Sequence, residues 1–150
     1  MKRLQLPIAI FVVCALASPG TPAAASTARR GDSMMDAINY VRGVAGLRPL
    51  RHSRRLTRSS AARANVMMQR DFFAHPARLR VPSFDSVGEV LELHTGRRAR
   101  VNRTLRRWAD SPAHHAVLTS RRFRWVGAAR AIGRFRGRRA TIWVVRFGRH

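Results

Sequence analysis

Cysteine and lysine are almost absent from this sequence. The only cysteine is Cys14 and the only lysine is Lys2, so both lie within the first 25 residues. Beyond residue 25 no thiol is available, which excludes disulfides and a cysteine nucleophile there. No serine lies in a G-x-S-x-G motif, so covalent nucleophilic catalysis has no support from the sequence. No glycine-rich phosphate-binding loop is present either.

The first 25 residues have the layout of a secretory signal peptide. A basic start at residues 2–3 precedes an apolar run at residues 8–17 and small residues at 23–25. This order predicts export and cleavage near residue 25. The apolar run is shorter than the roughly 20 residues that span a bilayer. The alternatives are an uncleaved anchor and a lipoprotein attached through Cys14.

Acidic residues are scarce, and positive charge dominates. Thirty basic residues face seven acids, which gives a formal net charge of +23. Such a field attracts polyanions. For an exported protein, the expected partners are anionic cell-envelope polymers or lipid headgroups, and nucleic acid is disfavoured because no recognition motif is present. The alternative is that GC-rich coding produces the arginine content and that many arginines only solvate the surface.

Helical periodicity marks the first part of the remaining chain. A first helix is predicted from an N-cap at Ser33 to a stop at Gly46. Apolar and small residues then recur at helical spacing over residues 53–71, which predicts a second helix. Two shorter helices are predicted at residues 100–109 and 112–119, the latter started by a serine–proline pair.

The last part of the chain has the pattern of β-strands. A short strand is predicted at residues 89–93, and two β-like runs around Gly137 predict a hairpin. Both faces of the second hairpin strand are apolar, so we expect it to be covered on both sides. Early helices and late strands indicate an α+β layered domain. We therefore predict a flexible leader at 26–32 and one domain at 33–150.

The segment WADSPAHHAVL contains two adjacent histidines. Neighbouring residues on a helix point about 100° apart, so both imidazoles cannot face one cavity. His114 shares a stripe with Val117 and Leu118, whereas His115 is nearer Thr119. His114 is therefore the residue that we expect to face inward.

Two further residues are candidate partners for His114. His75 lies between aromatic residues and a proline, and Glu89 opens the first predicted strand beside a glycine. Two imidazoles and one carboxylate can bind zinc or hold a proton near neutral pH. Their spacing matches no local metal motif such as H-E-x-x-H. The alternative is that both histidines are hydrogen-bonded packing residues and that Glu89 pairs with an arginine.

Five segments between residues 33 and 148 occur in an order typical of one family. They are INYVRGVAGLRPL, MMQRDFFAHP, SVGEVLEL, WADSPAHHAVLTSRRFRWVGAA and IWVVRFG. Together they resemble the CAP superfamily (cysteine-rich secretory proteins, antigen 5, pathogenesis-related 1) in its bacterial, disulfide-free SCP-like form. The resemblance implies an α+β fold, a three-layer α-β-α sandwich with a central, mainly antiparallel sheet.

The resemblance also implies a cleft lined by His75, Glu89 and His114. In some relatives the two histidines bind zinc or another divalent cation. Val90 replaces an asparagine of the family pattern, which is expected to remove one polar wall of the cleft. Ser111 replaces a second glutamate that many eukaryotic members carry, so the family's acid–histidine tetrad is incomplete and a protease activity is disfavoured.

The predicted function is that of a secreted binding module rather than an enzyme. Its cleft would take a small apolar or amphipathic, lipid-like ligand or a cell-envelope ligand, and its arginine surface would dock on the envelope. Zinc or another divalent cation on His75 and His114 is the only cofactor predicted. The alternative is a metal-dependent hydrolase in which this cation activates water and Glu89 is the general base.

Overall fold

The computed structural model describes residues 22–96 and 100–150. No helix in this part of the chain is both long enough and apolar enough to cross a bilayer. The elements are α1 (Pro22–Val44), β1 (Arg51–His52), α2 (Arg54–Gln69), β2 (Ser86–Thr95), α3 (Val101–Ala109), α4 (Pro112–Leu118), β3 (Trp125–Phe135) and β4 (Arg138–Arg149).

Helix α1 begins earlier than the capping pattern predicted. It starts at Pro22 rather than after Ser33, because the segment that follows Pro22 is rich in alanine, the best helix former. Most of the predicted signal peptide at 1–25 lies outside the described residues. The signal peptide, the leader at 26–32 and the domain start at residue 33 therefore stay predictions.

Four strands form one sheet in the order β1-β3-β4-β2. The pairs β2–β4 and β3–β4 are antiparallel, and the two-residue strand β1 lies parallel to β3. The predicted hairpin is confirmed, with Gly137 at its turn in the left-handed region at φ 76°. The strand predicted at residues 89–93 extends over Ser86–Thr95.

Helices cover both faces of the sheet. Alternate residues of β4 contribute to two apolar cores, because successive strand side chains point to opposite faces. Trp143, Val145 and Phe147 belong to the core that includes residues of α1, α3 and α4. Ile142 and Val144 belong to the core that includes residues of α2. The predicted three-layer α-β-α sandwich with a mainly antiparallel sheet is confirmed.

Helix α2 lies unusually close to β3. A Cβ added to Gly127 would lie 2.2 Å from the backbone nitrogen of Thr57, so only glycine permits this approach. The Oγ of Ser60 donates to the carbonyl of Gly127 at 3.0 Å. This contact fixes the position of α2 and of the loop that follows it, which carries His75.

Candidate functional site

Glu89 is the centre of a buried polar cluster on the α2 face of the sheet. It lies on β2 directly opposite Arg146 of β4. The Nε of Arg146 donates to Oε2 of Glu89 at 2.8 Å, and the two side chains are 1% and 8% exposed for Glu89 and Arg146 respectively. Nη1 of Arg146 also donates to the carbonyl oxygen of Ser59 at 3.3 Å and to its hydroxyl. These contacts hold an ionised carboxylate in a fixed orientation, as a buried ion pair requires.

His75 contacts the other oxygen of the same carboxylate. Its Nδ1 lies 2.9 Å from Oε1 of Glu89. An ionised carboxylate only accepts hydrogen bonds, so Nδ1 carries the proton and Nε2 keeps its lone pair when the ring is neutral. The His75 side chain is 56% exposed, so the ring is open to solvent. Arg63 of α2 donates to the carbonyl oxygen of Ala74 at 2.5 Å and thereby anchors the loop.

His114 lies on α4 and is half-buried, whereas His115 is exposed. The expectation that His114 is the inward histidine is therefore confirmed. Burial lowers the pKa of His114 below its ordinary value, and the nearby His75 lowers it further. His114 is thus a neutral imidazole near pH 7, within electrostatic range of His75.

The structure therefore brings the three sequence-predicted residues to one region. His75 touches Glu89, and His75 is close enough to His114 to contribute to the lowering of its pKa. Glu89 also pairs with an arginine, Arg146, which the alternative interpretation had proposed. The assignment of the two histidines as metal ligands and of Glu89 as a base stays a prediction.

A divalent cation in this region would have two imidazoles, those of His75 and His114, as its protein ligands. Two imidazoles with free lone pairs are suitable donors for zinc. Glu89 is not an accessible ligand, because its side chain is 1% exposed and both of its oxygens already accept hydrogen bonds, from His75 and Arg146. No group of three or more histidine, cysteine, aspartate or glutamate side chains in the described residues is arranged to hold a metal ion. Any cation here would complete its coordination with water or with a bound ligand.

Val90 is not part of a cleft wall, contrary to the sequence expectation. Its side chain is fully buried in the core opposite α2, because neighbouring residues on a strand point to opposite faces. The Glu89 carboxylate lies on the other face. Val90 therefore belongs to the apolar core and not to the polar cluster around Glu89.

Arg146 and Ser59 are the site residues that the sequence analysis missed. Arg146 stands at an inward position of the apolar strand IWVVRFG, between Val145 and Phe147. A charged residue buried in such a strand requires an ionic partner. That requirement was the available signal, although it could not identify Glu89 as the partner.

Two cavities of the described residues have neither His75 nor His114 in their walls, and a third, of about 560 Å³, is lined by residues 79–85 and Val87 in the segment between His75 and Glu89. An open depression of about 1010 Å³ runs along α3 between Arg100 and Asp110. A recess of about 260 Å³ with apolar walls, which include Ile132 and Ala140, lies near the turn of the β3–β4 hairpin. The exposed ring of His75 makes the histidine region an open surface.

Comparison with known proteins agrees with this geometry. The family model of the cysteine-rich secretory protein family, CAP, matches residues 35–147, a range that contains His75, Glu89 and His114. A search of curated protein sequences finds no significant match. Three solved structures have similar folds at identities that support the fold alone.

An outer surface protein from Borrelia burgdorferi is 20% identical, with a TM-score of 0.67 over 79% of this chain and 91% of that one. An extracellular SCP-domain protein from Bacillus anthracis is 16% identical, with a TM-score of 0.65 over 89% of this chain and 45% of that one. The venom allergen-like protein 4 from Schistosoma mansoni is 10% identical, with a TM-score of 0.64 over 79% of this chain and 86% of that one. The chain belongs to the cysteine-rich secretory protein (CAP) family.

Proposed function

We propose that this protein is an exported binding module whose ligand-facing site is formed by His75 and His114, with Glu89 buried behind His75 as its positioning partner. In this proposal the two imidazoles hold a divalent cation, zinc first, and the site takes a small amphipathic or cell-envelope ligand. The signal-like N-terminus supports export. Two structural neighbours whose names describe an outer surface protein and an extracellular protein also support it.

The observation that carries the proposal is the engagement of both oxygens of Glu89. Oε2 accepts from Arg146 and Oε1 accepts from His75. A carboxylate in this position orients the imidazole and fixes its tautomer, as outer partners of metal-binding histidines do. Glu89 is then a positioning residue for His75.

The hydrolase alternative is weaker for the same reason. A general base must reach the proton that it abstracts, directly or through one water. Both oxygens of Glu89 already accept charge-assisted or histidine hydrogen bonds, which stabilise the carboxylate and make it a weaker base. Its side chain is 1% exposed, so water has little access to it. The geometry therefore favours binding over hydrolysis.

Zinc titration tests the histidine site directly. Wild type, His75→Ala and His114→Ala are compared by calorimetry, with His115→Ala as the matched control because His115 is an exposed neighbour on the same helix. We expect roughly tenfold or greater loss of affinity in the first two variants and no change in the control, since each removes one of two protein ligands. Equal affinity in all four proteins would reject the metal site.

Ligand binding is tested separately with a fluorescent acyl-chain probe. A binding module should give saturable binding that a natural fatty acid displaces. If wild type shows no saturable binding of the probe, with or without zinc, the proposal of an amphipathic ligand is rejected. The proposal of a metal site does not depend on this result.

A further inference from the structure

A second polar pocket lies at the C-terminal end of α1, away from the histidine site. It has a volume of about 220 Å³, and its polar walls come from three segments of the chain. Arg42 belongs to α1, Arg48 belongs to the loop before β1, and Arg121 and Arg124 belong to the loop between α4 and β3. None of these residues contacts His75, Glu89 or His114 through the hydrogen bonds or ion pairs described above.

Arg42 is a buried charge without an anionic partner among the ion pairs of the described residues. Its relative exposure is 1%. Its Nη1 donates to the carbonyl oxygens of Leu118 at 2.8 Å and Ser120 at 3.0 Å, and its Nε donates to that of Arg48 at 3.2 Å. These are neutral acceptors, which compensate the burial of a guanidinium only in part. Burial lowers the pKa of Arg42, and the charge of Arg124 lowers it further.

The other three arginines around the pocket are exposed. Nη1 of Arg124 donates to the carbonyl oxygens of Arg121 and Phe123 at 2.6 and 3.1 Å, which holds this side chain against its own loop. Across residues 22–96 and 100–150, the ion pairs join Glu89 to His75 and Arg146, and Glu92 to Arg107. The pocket arginines thus have no carboxylate among the ion pairs of these residues.

Backbone dipoles offset only a small part of this charge. Helix α1 ends beside the pocket, where the Leu47 nitrogen donates to the Arg42 carbonyl at 2.9 Å and Gly46 adopts a φ of 67°. Helix α4 ends nearby at Leu118. Each helix C-terminus carries about half a negative charge, so two offset about one of four positive charges. A strong positive excess remains at a concave site.

We infer that this pocket binds an oxyanion of the phosphate class. Arg48, Arg121 and Arg124 would contact it with guanidinium groups, whose forked geometry suits phosphate oxygens. Arg42 would supply fixed charge at the base and tie α1 to both loops. At about 30 Å³ per water molecule, the volume corresponds to roughly seven waters, enough for a phosphate group with a short substituent. The phosphate is either a free phosphate monoester or the headgroup of an anionic lipid.

The inference is tested by titrating inorganic phosphate into the full-length protein at constant ionic strength set with chloride. Wild type is compared with Arg48→Gln/Arg121→Gln, which leaves the buried Arg42 in place. The matched control is Arg138→Gln/Arg139→Gln, which removes the same charge from exposed positions at the hairpin turn. We expect a loss of roughly tenfold or more in the pocket variant and about twofold or less in the control, because charge-assisted hydrogen bonds are short-range.

Two results would overturn the inference. One is the absence of saturable phosphate binding to wild type. The other is an equal loss of phosphate affinity in the two double variants, which would mean that only the overall positive charge of the protein attracts phosphate. Unchanged melting temperatures of the variants in chloride alone establish that both still fold. Vesicles of phosphatidylcholine with and without phosphatidylglycerol then distinguish the sources. Vesicle binding that the pocket variant loses and the control keeps assigns the lipid headgroup, and phosphate binding without vesicle binding assigns a soluble phosphate. The result of the zinc titration does not affect either arm.

Discussion

Glu89 and Arg146 face each other on adjacent strands of the sheet, with 2.8 Å between Oε2 of Glu89 and Nε of Arg146. Arg146 also donates a hydrogen bond to the carbonyl oxygen of Ser59 on α2. Glu89 also accepts a hydrogen bond from His75 in the loop after α2. The exposed histidine ring is thereby fixed to a buried ion pair of the sheet. This chain of contacts explains how a loop residue can hold a defined orientation.

Removing the arginine from this pair should strongly destabilise the protein. In Arg146→Met, Glu89 remains buried without its ionic partner, and we expect the free energy of unfolding to fall by about 3–5 kcal/mol. The double variant Arg146→Met/Glu89→Leu should recover much of this loss, because an apolar pair leaves no unpaired charge. Urea denaturation of the three proteins measures the effect. A single variant within about 1 kcal/mol of wild type would contradict the buried pair.

Removing the charge of Glu89 should weaken metal binding without removing a ligand. In Glu89→Gln, the amide oxygen can still accept from Nδ1 of His75, but the imidazole loses the charge-assisted hydrogen bond that holds its orientation. We expect zinc affinity to fall by about 10- to 100-fold. Competition with a chromogenic chelator measures it. Glu92→Gln alters a second buried carboxylate on the opposite face of β2 and should leave zinc affinity unchanged; equal losses would mean that general destabilisation is responsible.

The close approach of α2 to β3 predicts a large effect of one methyl group. In Gly127→Ala, the new Cβ would meet the backbone nitrogen of Thr57 at 2.2 Å, and backbone cannot rotate away as a side chain can. We expect a loss of about 1–3 kcal/mol or more by overpacking. Gly43→Ala on α1 is the matched control, because no atom lies within 4 Å of its added Cβ. The control should be neutral or up to about 1 kcal/mol more stable, since alanine favours helix over glycine. Thermal unfolding of both variants measures the two effects. A Gly127→Ala protein as stable as wild type would contradict the close packing of α2 on β3.

The sequence could predict the elements whose signals are local. The apolar stripes of α2 and α3, the Ser111–Pro112 start of α4 and the Gly137 turn all follow from spacing within about ten residues. Strand β1 was missed because its two residues pair with β3, far along the chain, and carry no pattern of their own.

The candidate site likewise contains residues that the sequence could indicate and residues that depend on contacts between distant parts of the chain. His75, Glu89 and His114 were found partly from residue chemistry and chiefly from a family resemblance that covers most of the chain. Arg146 was missed because its partnership with Glu89 depends on the register of β2 against β4, which no local spacing reveals. The buried Arg42 was missed for a similar reason, since its carbonyl partners include Leu118 at the end of α4 and Ser120 in the loop after it, both far along the chain.

A second buried histidine should make stability depend on pH. His94 lies on β2 beneath α3, where its Nε2 is 2.7 Å from Oγ1 of Thr104. Burial lowers the pKa of His94 below the ordinary 6.5, and the charges of Arg107 and Arg103 lower it further. The unfolded chain therefore binds more protons than the folded one below about pH 6.5. The stability from a neutral His94 is present above this pH and is lost as the pH falls through the folded pKa.

His94→Gln should reduce this loss of stability, because glutamine does not titrate. Urea denaturation at about pH 7.5, 6.5 and 5.5 measures the slope, and His115→Gln is the control because His115 is exposed. His114 has a pKa lowered in the same direction, so part of the slope should remain in His94→Gln. Glu92 acts in the opposite direction, because burial raises its pKa above 4.5 and its protonation favours the folded state on acidification. An identical slope in wild type and His94→Gln would show that His94 does not titrate as a buried group.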